Sequence, residues 1–340
     1  MTTDPFGIGV VGCGTMGKEH ATAVANTPSV CLVAVSDRDA SRATSFARQF
    51  DVKADSSIDA LLSRDDVGGV IIATPTPDHV DSARRCAAAG KHILLEKPAA
   101  LSLDDLASVE HACDDAGVTL MIGQTMRFDE VVKTAHDTCR EGAIGTPVYV
   151  NWVSNTARRW PGGWRGWQTD TLLSGGMALH LAIHNIDLAL WLLDDIPVQV
   201  YAQGNNIAAP GLDVNDFMQV GIRCRNGSTA LLESQSTLAE SGSSYVGLRL
   251  IGTEGQIQWS SNEDGAYVGQ AGPRSSFAAA SKRLEREIAH FAELCLGQVE
   301  PQVTRQQTWN ALAVAVAATE SIDTGRAISL INVRDGSDGR

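Results

Sequence analysis

Residues Phe6 to Asp37, FGIGVVGCGTMGKEHATAVANTPSVCLVAVSD, form the stretch whose reading decides the fold. An apolar strand (Ile8 to Val11) runs into the turn Gly12-Cys13-Gly14-Thr15-Met16-Gly17, a helix follows, and a second apolar strand (Cys31 to Val35) leads to Asp37. Three glycines in a protein with 32 of them are weak evidence alone. Strand before, helix after and an acid closing the next strand give them meaning. Gly12 permits the tight turn, Gly14 lets the backbone approach a pyrophosphate, and Gly17 lets the helix pack close on the sheet. Phosphates are expected at the helix N-terminus, where unpaired N–H groups and the dipole favour an anion. Thr15 and Met16 open that helix, and Met16 is expected to pack beside the cofactor. Asp37 would accept hydrogen bonds from the ribose hydroxyls and repel a 2′-phosphate, which favours NAD; Arg38 beside it keeps NADP possible.

The same rhythm continues outward. A helix is expected over Ala40 to Phe50 and a short one over Ile58 to Leu62. Val70-Ile71-Ile72-Ala73 reads as a strand buried on both faces. Thr74-Pro75-Thr76-Pro77-Asp78-His79 stops it, with Asp78 placed to cap the next helix. His92 to Leu95 leads into Glu96-Lys97-Pro98, and Thr119 to Ile122 follows another helix. Alternating strands and helices specify a doubly wound parallel sheet with right-handed crossovers. Beyond Gln124 come a helix over about 131–140, a strand Val148 to Val153, a helix from Met177 to Leu193, and strand after strand with Gly or Asn turns from Val198 to about Tyr267. Helices over about 279–295 and 306–324 close the chain. The expected class is α/β: a Rossmann domain over 1–124, a substrate-binding and oligomerisation α+β domain with a large, open, mainly antiparallel sheet over 125–333, and a flexible tail over 334–340.

Bulk composition narrows the function. At 340 residues, with 44% apolar and 20% charged residues, the chain fits two globular cores. A formal charge of −13 argues against a nucleic-acid partner. Seven cysteines without a C-x-x-C pair suggest neither a disulfide frame nor a zinc site, and a reducing cytoplasm is the simplest setting. No secretion signal and no apolar run near the ~20 residues that span a bilayer are evident, so a soluble protein with no membrane partner is expected.

Several residues stand out for chemistry. Lys97 follows the C-terminal end of a parallel strand, the edge where ligands bind in such sheets; a lysine there can hold a hydroxyl and stabilise a developing alkoxide, or simply pair with Glu96 as a surface cation. On the helix from Gly175, positions 180, 184 and 187 fall at i, i+4 and i+7, so His180, His184 and Asp187 share a polar stripe opposite Leu179, Ile183, Ile186 and Leu190. A stripe of that kind is expected to line a cleft, and His184 suits a general base. Two histidines at that spacing also raise a metal site, but H-E-x-x-H is not met, no third ligand is evident, and none is assigned. The segment Arg158 to Asp170 (RRWPGGWRGWQTD), with Trp152, holds four tryptophans and three arginines. Trp152, Arg158, Trp164, Trp167 and Asp170 are read either as a sugar-holding surface or as an oligomer contact.

The chain resembles the Gfo/Idh/MocA family, the glucose-fructose oxidoreductase and inositol dehydrogenase group. The likeness rests on Gly12-x-Gly14-x-x-Gly17-x-x-His20, Thr74-Pro75 with His79, Glu96-Lys97-Pro98, Glu141 to Gly145, Gly175-Gly176 with His184 and Asp187, Ile251 to Gly255, and the helix end Ala318 to Gly325. It implies a dehydrogenase that moves hydride between a secondary hydroxyl of a sugar or cyclic polyol and nicotinamide C4, with Lys97 orienting the oxygen and His184 taking its proton. Thr74, Pro75, His79, Glu96 and Gln124 are implied around the cofactor, Arg127 at the nicotinamide border, a cis bond at Pro98, and a homodimer or homotetramer through the second domain's sheet. Such relatives usually carry aspartate where this chain has His180, which alters how Lys97 and His184 are tuned. Two rivals stay open: a transient 3-keto sugar that permits glycosidic elimination while NAD is regenerated, and a sugar-sensing protein that binds dinucleotide without turnover.

Overall fold

A computed structural model describes residues 4–157, 166–209, 211–238, 244–262, 266–269 and 282–335. The chain divides into two compact units, residues 1–128 with 282–304 and residues 129–281 with 305–340.

The first unit contains β1 (Phe6–Val11), α1 (Thr15–Ala25), β2 (Val30–Ser36), α2 (Ala40–Phe50), β3 (Lys53–Asp55), α3 (Ile58–Leu62), β4 (Gly69–Ile72), α4 (His79–Ala88), β5 (His92–Glu96), α5 (Leu103–Ala116) and β6 (Leu120–Gly123). Its six strands lie in the order β3-β2-β1-β4-β5-β6, and the paired strands are parallel. β4 and β6 are buried at every position, as their unbroken apolar sequences require of strands covered on both faces. The order reverses between β1 and β4, so the crevice beyond their C-terminal ends is where such a sheet binds ligands. Side-chain caps set several helix starts: Asp39 accepts from the Ser41 and Arg42 N–H groups at α2, and Ser102 from Asp105 N–H at α5. Asp78 does not cap α4 as expected. A 3-10 turn over Thr76–Asp78 leads into the helix, so Asp78 already has helical backbone angles, and its carboxylate lies 3.7 Å from Arg38.

The second unit holds α6 (Glu130–Arg140), β7 (Pro147–Ala157), α7 (Thr171–Ser174), α8 (Ile183–Leu193), β8 (Pro197–Asn205), β9 (Phe217–Cys224), β10 (Thr229–Leu238), β11 (Tyr245–Gly252), β12 (Gln256–Ser260) and β13 (Ala266–Gly269). The chain then returns to the first unit as α9 (Arg283–Cys295), and the second unit finishes with α10 (Arg305–Thr324) and β14 (Ile328–Ser329). Its eight strands run β13-β12-β11-β7-β10-β9-β8-β14, antiparallel except for β7 beside β10. Burial alternates along β9 and β10, with Met218, Val220, Ile222, Ala230 and Leu232 inward. The other face carries a ladder of polar side chains: Gln203 donates to Gln219, Gln219 and Gln235 donate to Glu233, and Thr237 donates to Gln235.

Three sequence expectations change. The helix expected over Met177 to Leu193 is not uniform: Ala178–Ala182 is a π-helical turn and α8 starts at Ile183, so the i, i+4 rule does not carry from His180 to His184. Asp187, expected on a cleft, is 1% exposed. The stretch Thr171–Leu193 is long and apolar enough, by length and composition, to cross a bilayer, although no such run was expected; most of it is buried in the unit, as a core helix is. Pieces on either side of Gly175-Gly176, unremarkable singly, join into that length.

α9 buries its apolar stripe in the first unit's core. Ile288, Phe291 and Ala292 are buried in one cluster with Ile8, Val10 and Ile71, and Leu284 and Cys295 pack on its edge. Burying Ile288 and Phe291 contributes about 1.5–3 kcal/mol each.

Candidate functional site

The glycine turn is built as its sequence demands. Gly12 has φ +99, and a Cβ there would lie 2.6 Å from the Ala73 carbonyl oxygen. A Cβ on Gly17 would collide with the Gly12 carbonyl oxygen, whereas one on Gly14 would meet nothing within 4 Å. Turn and close approach therefore use the first and third glycines, and the second faces open space. No side chain caps α1, whose first N–H groups, from Thr15 onward, stay unclaimed by a cap. An 11-residue helix with such an end suits a diphosphate.

Asp37 is fixed beside this turn. Its Oδ2 accepts from Cys13 N–H and its Oδ1 from Asp39 N–H, each at 2.8 Å. A carboxylate offers about four lone-pair sites, so two hydroxyls can still be accepted. Two cations flank it, the largely exposed Arg38 and Arg42, whose Nη1 is 3.6 Å from Asp37 Oδ2. Arg42 was not picked out in the sequence; it lies in the first turn of α2, four residues beyond Arg38.

Polar groups gather at the carboxyl edge of the sheet. Thr74 Oγ1, Thr76 Oγ1 and both amide atoms of Gln124 are buried without a hydrogen-bond partner among the described residues. Buried polar atoms normally have partners, so this edge fits the polar half of a dinucleotide. Pro75 turns the chain here and forms the N-cap of the 3-10 turn. His79 ties two neighbouring loops together, with Nδ1 2.9 Å from the Pro98 carbonyl and Nε2 3.0 Å from the Thr74 carbonyl. Burial holds its pKa below the ordinary value, so in the neutral ring only the nitrogen that carries the hydrogen donates, to one of the two carbonyls. Its place is to position the loops.

Glu96 ends β5, and the Lys97–Pro98 bond is cis. Glu96 Oε1 is 2.7 Å from His20 Nε2, and its Oε2 accepts from the Lys97 backbone N–H at 3.1 Å. Burial opposes charge on Glu96 and His20 alike. Their mutual hydrogen bond and attraction prevail, holding the acid below and the imidazole above their usual values, so the pair is ionic. Burial pulls Lys97 below the usual lysine range, against the pull of Glu96. A lysine so tuned can hold and release a proton nearer neutrality than a surface lysine.

In the second unit, His180 lies in the π turn and His184 in the first turn of α8, both partly buried. The His180 ring stands edge-on to Trp167, with centroids 5.3 Å apart and planes at 86°. Asn185 donates from Nδ2 to Ser234 Oγ at 2.7 Å beneath the helix. Among the described residues no three of His, Cys, Asp and Glu form a cluster that could hold a metal ion.

Other expected site residues have structural employment. Arg127 is fully buried in the first unit; its Nη1 donates to the Gln302 carbonyl at 3.0 Å, while Gln302 Nε2 donates to the Arg127 carbonyl at 2.9 Å. Trp152 is 1% exposed and packs in the sheet core. Asp170 caps α7, accepting from Leu172 and Leu173 N–H groups. Met16 is 37% exposed at the start of α1. Arg158 and Trp164 lie outside the described residues. Glu287 was missed: it is buried on α9 and accepts from Thr125 Oγ1 at 3.1 Å. Its signal was an acid within the 284-288-291-295 apolar stripe.

Comparison with known proteins agrees with this architecture. Residues 6–124 match the model of an oxidoreductase family with an NAD-binding Rossmann fold, and residues 132–258 match the GFO/IDH/MocA C-terminal domain. An inositol 2-dehydrogenase of Rubrobacter xylanophilus is 29% identical over 85% of this chain and 79% of its own. A 2,7-anhydro-N-acetylneuraminate hydratase of Mediterraneibacter gnavus is 30% identical over 67% of this chain and 60% of its own. The crystal structure of GenD2 from gentamicin A biosynthesis, in complex with NAD, superposes with a TM-score of 0.84 at 25% identity, covering 97% of each chain.

Proposed function

The chain belongs to the Gfo/Idh/MocA family of NAD(P)-dependent oxidoreductases, and from that premise we propose that it oxidises a secondary hydroxyl of a sugar, a sugar derivative or an inositol-like polyol. When bound, the nicotinamide ring supplies the hydride acceptor at C4. Every other task falls to the chain's own residues. Gly12, Gly14, Gly17 and the uncapped start of α1 hold the diphosphate, and Asp37 holds the ribose hydroxyls. Thr74, Glu96 and Gln124 line the polar edge. Lys97 orients the substrate oxygen and stabilises charge developing on it, and His184 takes its proton. His180, where aspartate is usual in the family, supports His184 with an imidazole steered by Trp167. The observation that carries the reading is the pairing in one unit of an uncapped, glycine-opened helix with a desolvated lysine after β5.

The test is a spectrophotometric panel of inositols, free aldoses and glycosides, each with NAD and with NADP. Turnover with at least one substrate and a preference for NAD are expected; inertness across the panel would remove the assignment. Asp37 supplies the preference, because a 2′-phosphate would meet its nearly buried carboxylate. Asp37→Ala should therefore lower the NAD/NADP ratio of kcat/KM by about tenfold or more, with Arg38 and Arg42 left to receive the phosphate. A ratio that stays put would assign the preference elsewhere.

A second reading is favoured by the relative named a hydratase, an activity with no net redox change. The same residues would then create a keto group transiently, and product analysis separates the cases because only net oxidation accumulates NADH. The polar ladder on the open sheet face suits association with a second copy into a dimer or tetramer.

A further inference from the structure

Helix α8 is buried and apolar along most of its length, yet the residue after His184 is an asparagine that is itself buried. Asn185 Nδ2 donates to Ser234 Oγ at 2.7 Å and to the Glu233 carbonyl oxygen at 3.3 Å. A leucine would form helix more readily at this position and would bury no amide. What asparagine adds is direction, because an amide with two fixed acceptors tolerates little rotation or sliding. Its anchor is firm. Ser234 and Glu233 belong to β10, an interior strand paired with β7 on one side and β9 on the other. Gln219 and Gln235 hold the Glu233 carboxylate in turn. The helix above has a weak point. The π turn Ala178–Ala182 gives way to α8 at Ile183, and neither start has a side-chain cap. A π turn inserts an extra residue into the helical ladder, and moving that insertion by one position turns a side chain by about 100°. The apolar contacts of Ile183, Ile186 and Leu190 are non-directional and do not oppose such a slide.

We propose that Asn185 is a positioning residue for His184: its amide, held by Ser234 and Glu233 of β10, fixes the junction between the π turn and α8 and with it the direction of the neighbouring imidazole. The proposal rests on the reading of His184 as the base. Asn185 touches neither substrate nor cofactor in this role. It keeps the ring of His184 at one angle to the sheet, so that the nitrogen that takes the proton meets the substrate hydroxyl without a search.

The test is the double variant Asn185→Leu with Ser234→Ala in the full-length protein. Replacing both partners of a buried hydrogen bond by apolar groups is close to neutral for stability, so the Tm should stay near that of the wild type. kcat should nevertheless fall by about tenfold or more, the cost of displacing a reacting group by about 1 Å. The dinucleotide Kd should not change, because the glycine turn belongs to the other unit. A merely structural asparagine would show the reverse, with any loss confined to the Tm and kcat of the folded protein intact. Hydrogen exchange gives a readout independent of turnover: backbone amides of residues 178–184 should exchange about tenfold faster in the variant, and those of 188–193 at the wild-type rate. Should the double variant not fold, Ser234→Ala alone removes the shorter of the two bonds and is read in the same way. A kcat within twofold of wild type, or unaltered exchange over 178–184, overturns the proposal. Wild-type activity in His184→Asn would instead refute the role given to His184, and the exchange data would still report whether Asn185 holds the junction.

Discussion

Lys97→Met is expected to lower kcat by about 10²–10³-fold while the dinucleotide Kd changes little. The magnitude is that of removing one preorganised donor from an oxygen on which charge develops. A lysine that merely paired with Glu96 would show no such effect, because Glu96 already has a partner in His20 and accepts the Lys97 backbone N–H. For the same reason the variant should fold: its remaining carboxylate stays paired, and the stem of methionine fills the space of the lysine stem. Lys97→Arg should not restore the rate, since a planar, permanently charged guanidinium cannot reproduce a compact amine whose protonation is tuned by burial. Steady-state kinetics with the best substrate of the panel, alongside fluorescence titration with dinucleotide, measures both quantities. Retention of activity within tenfold in Lys97→Met would remove the lysine from the chemistry.

How much of this could be read from the sequence depended on whether the signal was local. The Rossmann unit was legible because each of its features is local: unbroken apolar strands, a glycine turn whose tolerances follow from φ and close approach, and an acid at the end of β2. The parallel pair β7–β10 inside an otherwise antiparallel sheet was not legible, because strand pairing across some 80 residues leaves no mark on either segment. The return of α9 to the first unit was hidden for the same reason. Its stripe announces an apolar face without naming the core that receives it, and Arg127, implied at the nicotinamide border, grips Gln302 in that returning segment. Trp152 and Asp170 show a further limit, since composition drew attention to them and structure gave them to the sheet core and a helix cap. The π turn defeated the helical spacing directly, because a periodicity argument assumes that the period does not change within the segment.

His184→Asn is the second large loss expected, a fall in kcat of about 10²–10⁴-fold, the usual contribution of a positioned proton acceptor. Asparagine keeps a polar side chain of related size on α8, so the helix, buried along nearly its whole length, should hold and the Tm should move little. The dinucleotide Kd should also stay near wild type, because the glycine turn and Asp37 belong to the other unit. Residual activity in the variant should climb steadily with pH, as hydroxide or water replaces the lost base. His180→Ala provides the contrast. His180 is steered edge-on by Trp167 within the π turn, so its removal should perturb the rate less than loss of His184 does. If the two variants lose activity equally, the pair acts as one unit and the proton is shared between the two rings. If His184→Asn keeps the wild-type rate and pH profile, the base lies elsewhere, and the helix from Gly175 then serves to shape the substrate pocket alone.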